Sequence, residues 1–87
     1  MWYIYILETN DGRYYTGSTN DINRRIKAHQ EGKGAKFTRS FGVHKLLYTE
    51  KFRSKSNALK REKQIQSFSK IQKIQLIEGR EIHAKKD

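Results

Sequence analysis

The groups of this 87-residue chain that could do chemistry together are one carboxylate, one arginine, one histidine and several tyrosines. Glu62 is the only acid of a helical stretch from about 57 to 68. At 100° per residue, with Leu59 at 0°, Glu62 falls at about 300°, Ala58 at 260°, Ile65 at 240° and Gln66 at 340°, so the acid sits inside the apolar stripe. An unpaired buried carboxylate is costly, so Glu62 should have an arginine, hydrogen bonds or a metal. Lys63 and Arg61 point away from that stripe; Arg25 and a metal are not exclusive. Arg25 and His29 lie one turn apart on an earlier helix, where Ile22, Ile26 and His29 form one stripe with Arg25 on its edge. Hydrolysis of a phosphodiester suits this inventory. It needs a water deprotonated and aimed, phosphoryl charge neutralised and a leaving oxygen stabilised. The paired acids of a two-metal nuclease are lacking. A single Mg²⁺ or Mn²⁺, with Glu62 as its one protein ligand, fits better, because such ions keep several waters.

The tyrosines lie in two β-prone runs, Tyr3-Ile4-Tyr5-Ile6-Leu7 and Tyr14-Tyr15-Thr16-Gly17, around Asn10-Asp11-Gly12. This pattern predicts a hairpin. A loop of Asp11-Gly12 alone would put Tyr5 and Tyr15 on opposite faces. A three-residue loop, Asn10 to Gly12, puts them on one face. The second is expected, since Gly12 follows two residues that suit a type I turn. Along the first strand Trp2, Ile4 and Ile6 share one face, and Tyr3, Tyr5 and Leu7 the other.

The elements that must position these groups follow in order. Ser18 to Asp21 are N-cap residues for a helix over 22–31, ended by Gly32. Gly32 to Gly42 reads as a loop, with Lys33, Lys36 and Arg39 interleaved with Phe37 and Phe41, a composition that suits holding a phosphate backbone and stacking a base. Val43 to Phe52 is a third strand, with Leu46, Tyr48 and Phe52 on one face. Ser69, with Gln72 as capping-box partner, starts a last helix whose buried face is Ile71, Ile74 and Ile77. The fold class is α+β, a three-stranded antiparallel sheet flanked by about three helices. Residues 1–79 form one domain and 80–87 a polar tail.

Nineteen Lys and Arg stand against nine Asp and Glu, a net charge of +10. Residues 1–50 carry eight basic and five acidic side chains (net +3), and residues 51–87 carry eleven and four (net +7). Such a field attracts polyanions, nucleic acid first. The chain has no cysteine, which excludes disulfides and thiolate metal sites and is compatible with the cytoplasm. No stretch is apolar enough to span a membrane, and no secretory signal precedes the first strand.

The paired tripeptides Tyr3-Ile4-Tyr5 and Tyr15-Thr16-Gly17, with Arg25 and Glu62 downstream, resemble the GIY-YIG nuclease superfamily, and within it the small stand-alone relatives of the UvrC N-terminal nuclease domain. The likeness runs from residue 2 to about residue 78. The first Gly of the family name is Tyr3 here. The resemblance implies that Tyr5 activates the attacking water, Tyr15 helps orient the site, Arg25 binds the scissile phosphate, Glu62 binds the metal and His29 stands beside the nucleophile. A tyrosine base has a chemical difficulty, since its ordinary pKa is near 10. Nearby cations such as Arg25 and a hydrated metal would favour the phenolate. If Tyr5 is a core residue instead, His29 is the better base. The expected function is a metal-dependent DNA endonuclease, in repair or processing. The alternative is a catalytically weak or inactive nucleic-acid-binding module of the same fold. DNA stands ahead of RNA as partner, with Lys33, Lys36, Phe37, Arg39, Arg61 and Lys63 as its contacts. Whether a partner protein supplies target specificity is left open.

Overall fold

The tyrosine hairpin is closed by a three-residue loop. In a computed structural model describing residues 1–34 and 42–79, strands β1 (Trp2–Thr9) and β2 (Tyr14–Thr19) pair antiparallel with Tyr5 opposite Gly17 and Leu7 opposite Tyr15. Gly12 donates its N–H to the Thr9 carbonyl at 3.0 Å, and Thr9 donates to the Arg13 carbonyl at 2.8 Å. Gly12 has φ +86°, the left-handed position of a type I turn with a G1 bulge, where a side chain would be strained. Tyr5 and Tyr15 therefore share a face, as the Asn10–Gly12 loop requires.

Helix α1 (Ile22–Gln30) follows, with Asp21 as N-cap accepting from the Arg24 N–H. Strand β3 (Val43–Phe52) pairs antiparallel with β1, giving the strand order β2-β1-β3. Helix α2 (Lys55–Gln66) is capped by Ser54, and α3 (Lys70–Ile77) by the Ser69–Gln72 capping box. The α+β architecture is the expected one.

The core lies between one face of the sheet and the last two helices. Ile4, Ile6, Ala58, Ile65 and Leu76 are buried together, with Trp2, Tyr14, Tyr48, Phe52, Phe68 and Ile77 packed around them. Three expectations about faces need correction. The β1–β3 register shifts between Ile6 and Leu7, where Tyr48 faces Ile6 but Leu46 faces Leu7. The extra residue, Leu47, turns Leu46 away from the face of Tyr48 and Phe52, and Leu46 is 39% exposed. On α3 the buried residue is Leu76, and Ile71 is 66% exposed. Measured from Leu76, Ile71 lies about 140° round the helix, beyond a face of Lys73, Leu76 and Ile77.

The third correction concerns α2 and matters for the site. Its buried residues are Ala58 and Ile65, while Leu59 is 44% exposed. The buried line thus runs at about 250° on the wheel that puts Leu59 at 0°, with Glu62 some 50° to one side and Arg61 some 50° to the other. Both are half-buried flanks of that line. Arg61 reaches β3, where its Nε and an Nη meet the two Glu50 oxygens at 2.9 Å each. Glu62 reaches β2.

Candidate active site

The face of β1 opposite the core carries Tyr5, whose side chain is 1% exposed. Strand alternation and the hairpin register bring Tyr15 beside it, with ring centroids 6.3 Å apart. Helix α1 contributes His29, also buried, from the stripe it shares with Ile22 and Ile26. The His29 ring lies 5.8 Å from that of Tyr5 and 5.3 Å from that of Tyr15. The Tyr5 hydroxyl and His29 Nε2 are hydrogen-bonded at 2.9 Å.

Two glycines make room for this cluster. A Cβ at Gly17 would lie 2.5 Å from the Tyr5 hydroxyl oxygen and 2.7 Å from Cζ, so the phenol fills the space that a side chain would take. A Cβ at Gly34 would overlap the His29 ring at Nδ1.

Burial sets the protonation of the pair. It pushes the Tyr5 phenol well above the ordinary tyrosine range, helped by Tyr15 and Glu62 and opposed by Arg25. The Tyr15 phenol is raised by burial and then by Glu62. Burial, followed by the Arg25 charge, lowers His29 below its ordinary value. The expectation that cations would stabilise a Tyr5 phenolate is corrected for the chain's own residues: desolvation outweighs Arg25. The hydrogen bond joins a neutral phenol to a neutral imidazole. The phenol O–H is the donor when Nε2 carries no proton.

Arg25 is exposed at the cluster's edge, within electrostatic range of Tyr5, Tyr15 and His29. Glu62 is near enough to raise both phenols. Its Oε1 accepts from Ser18 Oγ at 2.5 Å and its Oε2 from Gln66 Nε2 at 3.0 Å. Among the described residues it has no ion-pair partner. Five residues singled out from the sequence, Tyr5, Tyr15, Arg25, His29 and Glu62, are thus brought into one region.

The donor set fits a hard divalent cation. Among the described residues no three His, Cys, Asp or Glu are grouped as a metal site. A half-buried carboxylate with one protein hydrogen bond on each oxygen keeps lone pairs for a largely hydrated Mg²⁺ or Mn²⁺.

The expected nucleic-acid contacts fare unequally. Lys63 is exposed, as is Lys33, which stands 3.9 Å from Glu31. Arg61 is a correction: its side chain is 16% exposed and its guanidinium is held by Glu50 and Gln64, so it braces α2 on β3. Lys36, Phe37 and Arg39, like the polar tail over 80–87, lie outside the described residues. Sequence reasoning missed the roles of Ser18, Gln66 and Gly34. Gln66 stands four residues after Glu62, a spacing at which helical side chains meet. Ser18 reads as the end of the second strand and the start of a capping cluster, with no signal for its contact 44 positions away.

Residues 1–75 match the family described as the GIY-YIG catalytic domain. A UPF0213 protein of Halalkalibacterium halodurans is 48% identical over 75 residues, which are 86% of this chain and 80% of that one. Another, from Clostridium perfringens, is 48% identical over 82 residues, 94% of this chain and 88% of the relative. The solution NMR structure of the UPF0213 protein from Bacillus halodurans superposes with a TM-score of 0.59 at 44% identity, covering 97% of this chain and 90% of that one. Among the described residues no helix is long and apolar enough to cross a membrane.

Proposed function

The chain belongs to the GIY-YIG catalytic-domain family, and we propose that it is a metal-dependent endonuclease hydrolysing phosphodiester bonds of DNA. The observation that carries this reading is the Tyr5–His29 hydrogen bond on the sheet face that also holds Tyr15, with Arg25 and Glu62 at its edge.

The chemistry follows from the protonation states. A phenol held neutral by burial is a poor base by itself. His29, neutral at pH 7, is a good one and touches the Tyr5 hydroxyl. As an attacking water gives its proton to the Tyr5 oxygen, Tyr5 passes its own to His29 Nε2. The negative charge stays on the hydroxide that forms the new P–O bond, and no free phenolate is needed. Tyr15 packs against both rings and fixes their orientation. Arg25, exposed and cationic beside the pair, binds the scissile phosphate. Glu62 would hold Mg²⁺ or Mn²⁺, which when bound supplies Lewis-acid stabilisation of phosphoryl charge. The +10 net charge holds the polyanion. Lys33 and Lys63 are contacts exposed to receive it, joined in this proposal by Lys36, Phe37 and Arg39. A role in DNA repair or processing belongs to the same proposal.

Nicking of supercoiled plasmid with Mn²⁺ tests the reading. Wild type should cut, and Tyr5→Phe and Glu62→Ala should not. Equal background cutting by all three overturns it. One observation favours the binding-module alternative: Tyr5 is 1% exposed, so its hydroxyl is shielded from solvent. On that account DNA binding weakens with salt, but no variant changes a cutting rate.

A further inference from the structure

The carboxylate of Glu62 is held by neutral donors. Ser18 gives its one proton to Oε1 at 2.5 Å, the short end of charge-assisted O–H···O⁻ bonds. Gln66 gives one N–H to Oε2 at 3.0 Å, and its Nε2 also faces the Thr16 carbonyl at 3.3 Å. Both N–H groups of the amide are therefore used. A flipped amide would put its oxygen against two acceptors, so the orientation is determined. The carboxylate is tied from both sides, by the strand that carries Tyr15 and by its own helix.

The opposite flank of α2 makes the contrast. There Glu50 is gripped by the Arg61 guanidinium and also accepts from the Tyr48 hydroxyl at 2.5 Å, so its charge is compensated internally. Ser18 and Gln66 orient Glu62 without cancelling its charge. A carboxylate fixed in place yet left anionic is an arrangement suited to a cation arriving from solvent. Loss of a polar group that orients a ligand side chain typically lowers metal affinity by about 10- to 100-fold.

We propose that Ser18 and Gln66 are positioning residues that hold the Glu62 carboxylate in its cation-binding orientation. This rests on the reading of Glu62 as the metal ligand. It adds that β2, beyond placing Tyr15, sets the carboxylate through the side chain at 18 and the backbone at 16. Thr16 takes part through its backbone carbonyl, Ser18 through its hydroxyl.

The test is Mn²⁺ binding to the full chain, followed by electron paramagnetic resonance of the free ion, with thermal melts as a check on folding. Ser18→Ala and Gln66→Leu should each weaken Mn²⁺ by about 10-fold, the lower end of what loss of such a supporting hydrogen bond costs. Ser18→Thr, which keeps the hydroxyl, should bind close to wild type and separates the hydroxyl's role from a packing defect. Wild-type affinity in both Ser18→Ala and Gln66→Leu, with binding abolished in Glu62→Ala, overturns this inference alone. Wild-type affinity in Glu62→Ala overturns the metal reading beneath it.

Discussion

The two faces of the sheet draw on one strand for opposite purposes. Towards α2 and α3, β1 sends Ile4 and Ile6 into a core shared with Ala58, Ile65 and Leu76. Towards α1 it sends Tyr5, which meets a histidine, a second tyrosine and a glycine. Residues on both faces are equally buried: Ile4 and Ile6 are 0% exposed and Tyr5 1%. Burial alone thus does not tell a residue that folds the chain from one that could act. The partners do. An apolar face gains from excluding water. A buried phenol and imidazole gain shifted proton affinities, a chemical property that also makes stability depend on pH.

The sharpest way to break this comparison is Tyr5→Phe. It keeps the ring and removes the hydroxyl, so the nuclease reading expects plasmid cutting to fall by about 10² to 10⁴-fold, the span of a lost acid–base group. Stability should change by only about 1 kcal/mol, that of one hydrogen bond, as read in urea titrations. Ile6→Ala should do the reverse. Its cavity in the core costs about 2–5 kcal/mol of unfolding free energy, while the folded fraction keeps its cutting rate. Comparable activity losses in both variants at equal folded fraction would erase the distinction between the faces.

A smaller effect sharpens the polar face. His29 is lowered by burial and by Arg25, so near and below its ordinary pKa of about 6.5 the unfolded chain binds a proton that the native chain refuses. The unfolded state then holds more protons, and unfolding free energy falls as pH falls. Stability contributed by neutral His29 is full above about 6.5 and is lost on acidification towards the lowered native value. Melting wild type and His29→Gln between pH 7.5 and 5 should show a steeper decline in wild type. Parallel curves would mean that His29 titrates as a solvated residue. The smallest effect belongs to the hairpin surface, where Arg13 pairs with Asp11 at 2.9 Å with both side chains well exposed. Arg13→Ala should cost less than about 1 kcal/mol and leave cutting unchanged.

Local features of this fold were readable from residues alone. Asn10-Asp11-Gly12 dictated the three-residue loop, and with it the shared face of the tyrosines, because only Gly12 fits the left-handed position cheaply. Ser69 and Gln72 announced their capping box. What escaped were facts set by neighbours distant in sequence. Leu47 carries no mark of a bulge, and the alternation of Leu46, Tyr48 and Phe52 reads as unbroken. The α2 wheel places Leu59 in the apolar stripe and Glu62 at its middle, although the sheet takes only Ala58 and Ile65. That shift of the buried line turned Arg61 from a surface cation into a brace. Ser18 and Glu62 lie 44 positions apart, beyond any periodicity. The convergence of Tyr5, Tyr15, His29, Arg25 and Glu62 was expected only through a family likeness; helix and strand periods alone place each on a face, not beside another.

The two irregularities in the pairing of β3 carry a further consequence. This ten-residue strand ends the sheet, so its outer rim offers amide and carbonyl groups at the spacing another copy could match. The register slips between Ile6 and Leu7, and again between Glu8 and Thr9, interrupt that spacing. A chain that slips twice against its own partner is a poor ruler for a stranger. Straightening β3, by deleting Leu47 for instance, would leave a rim more prone to stacking against another copy.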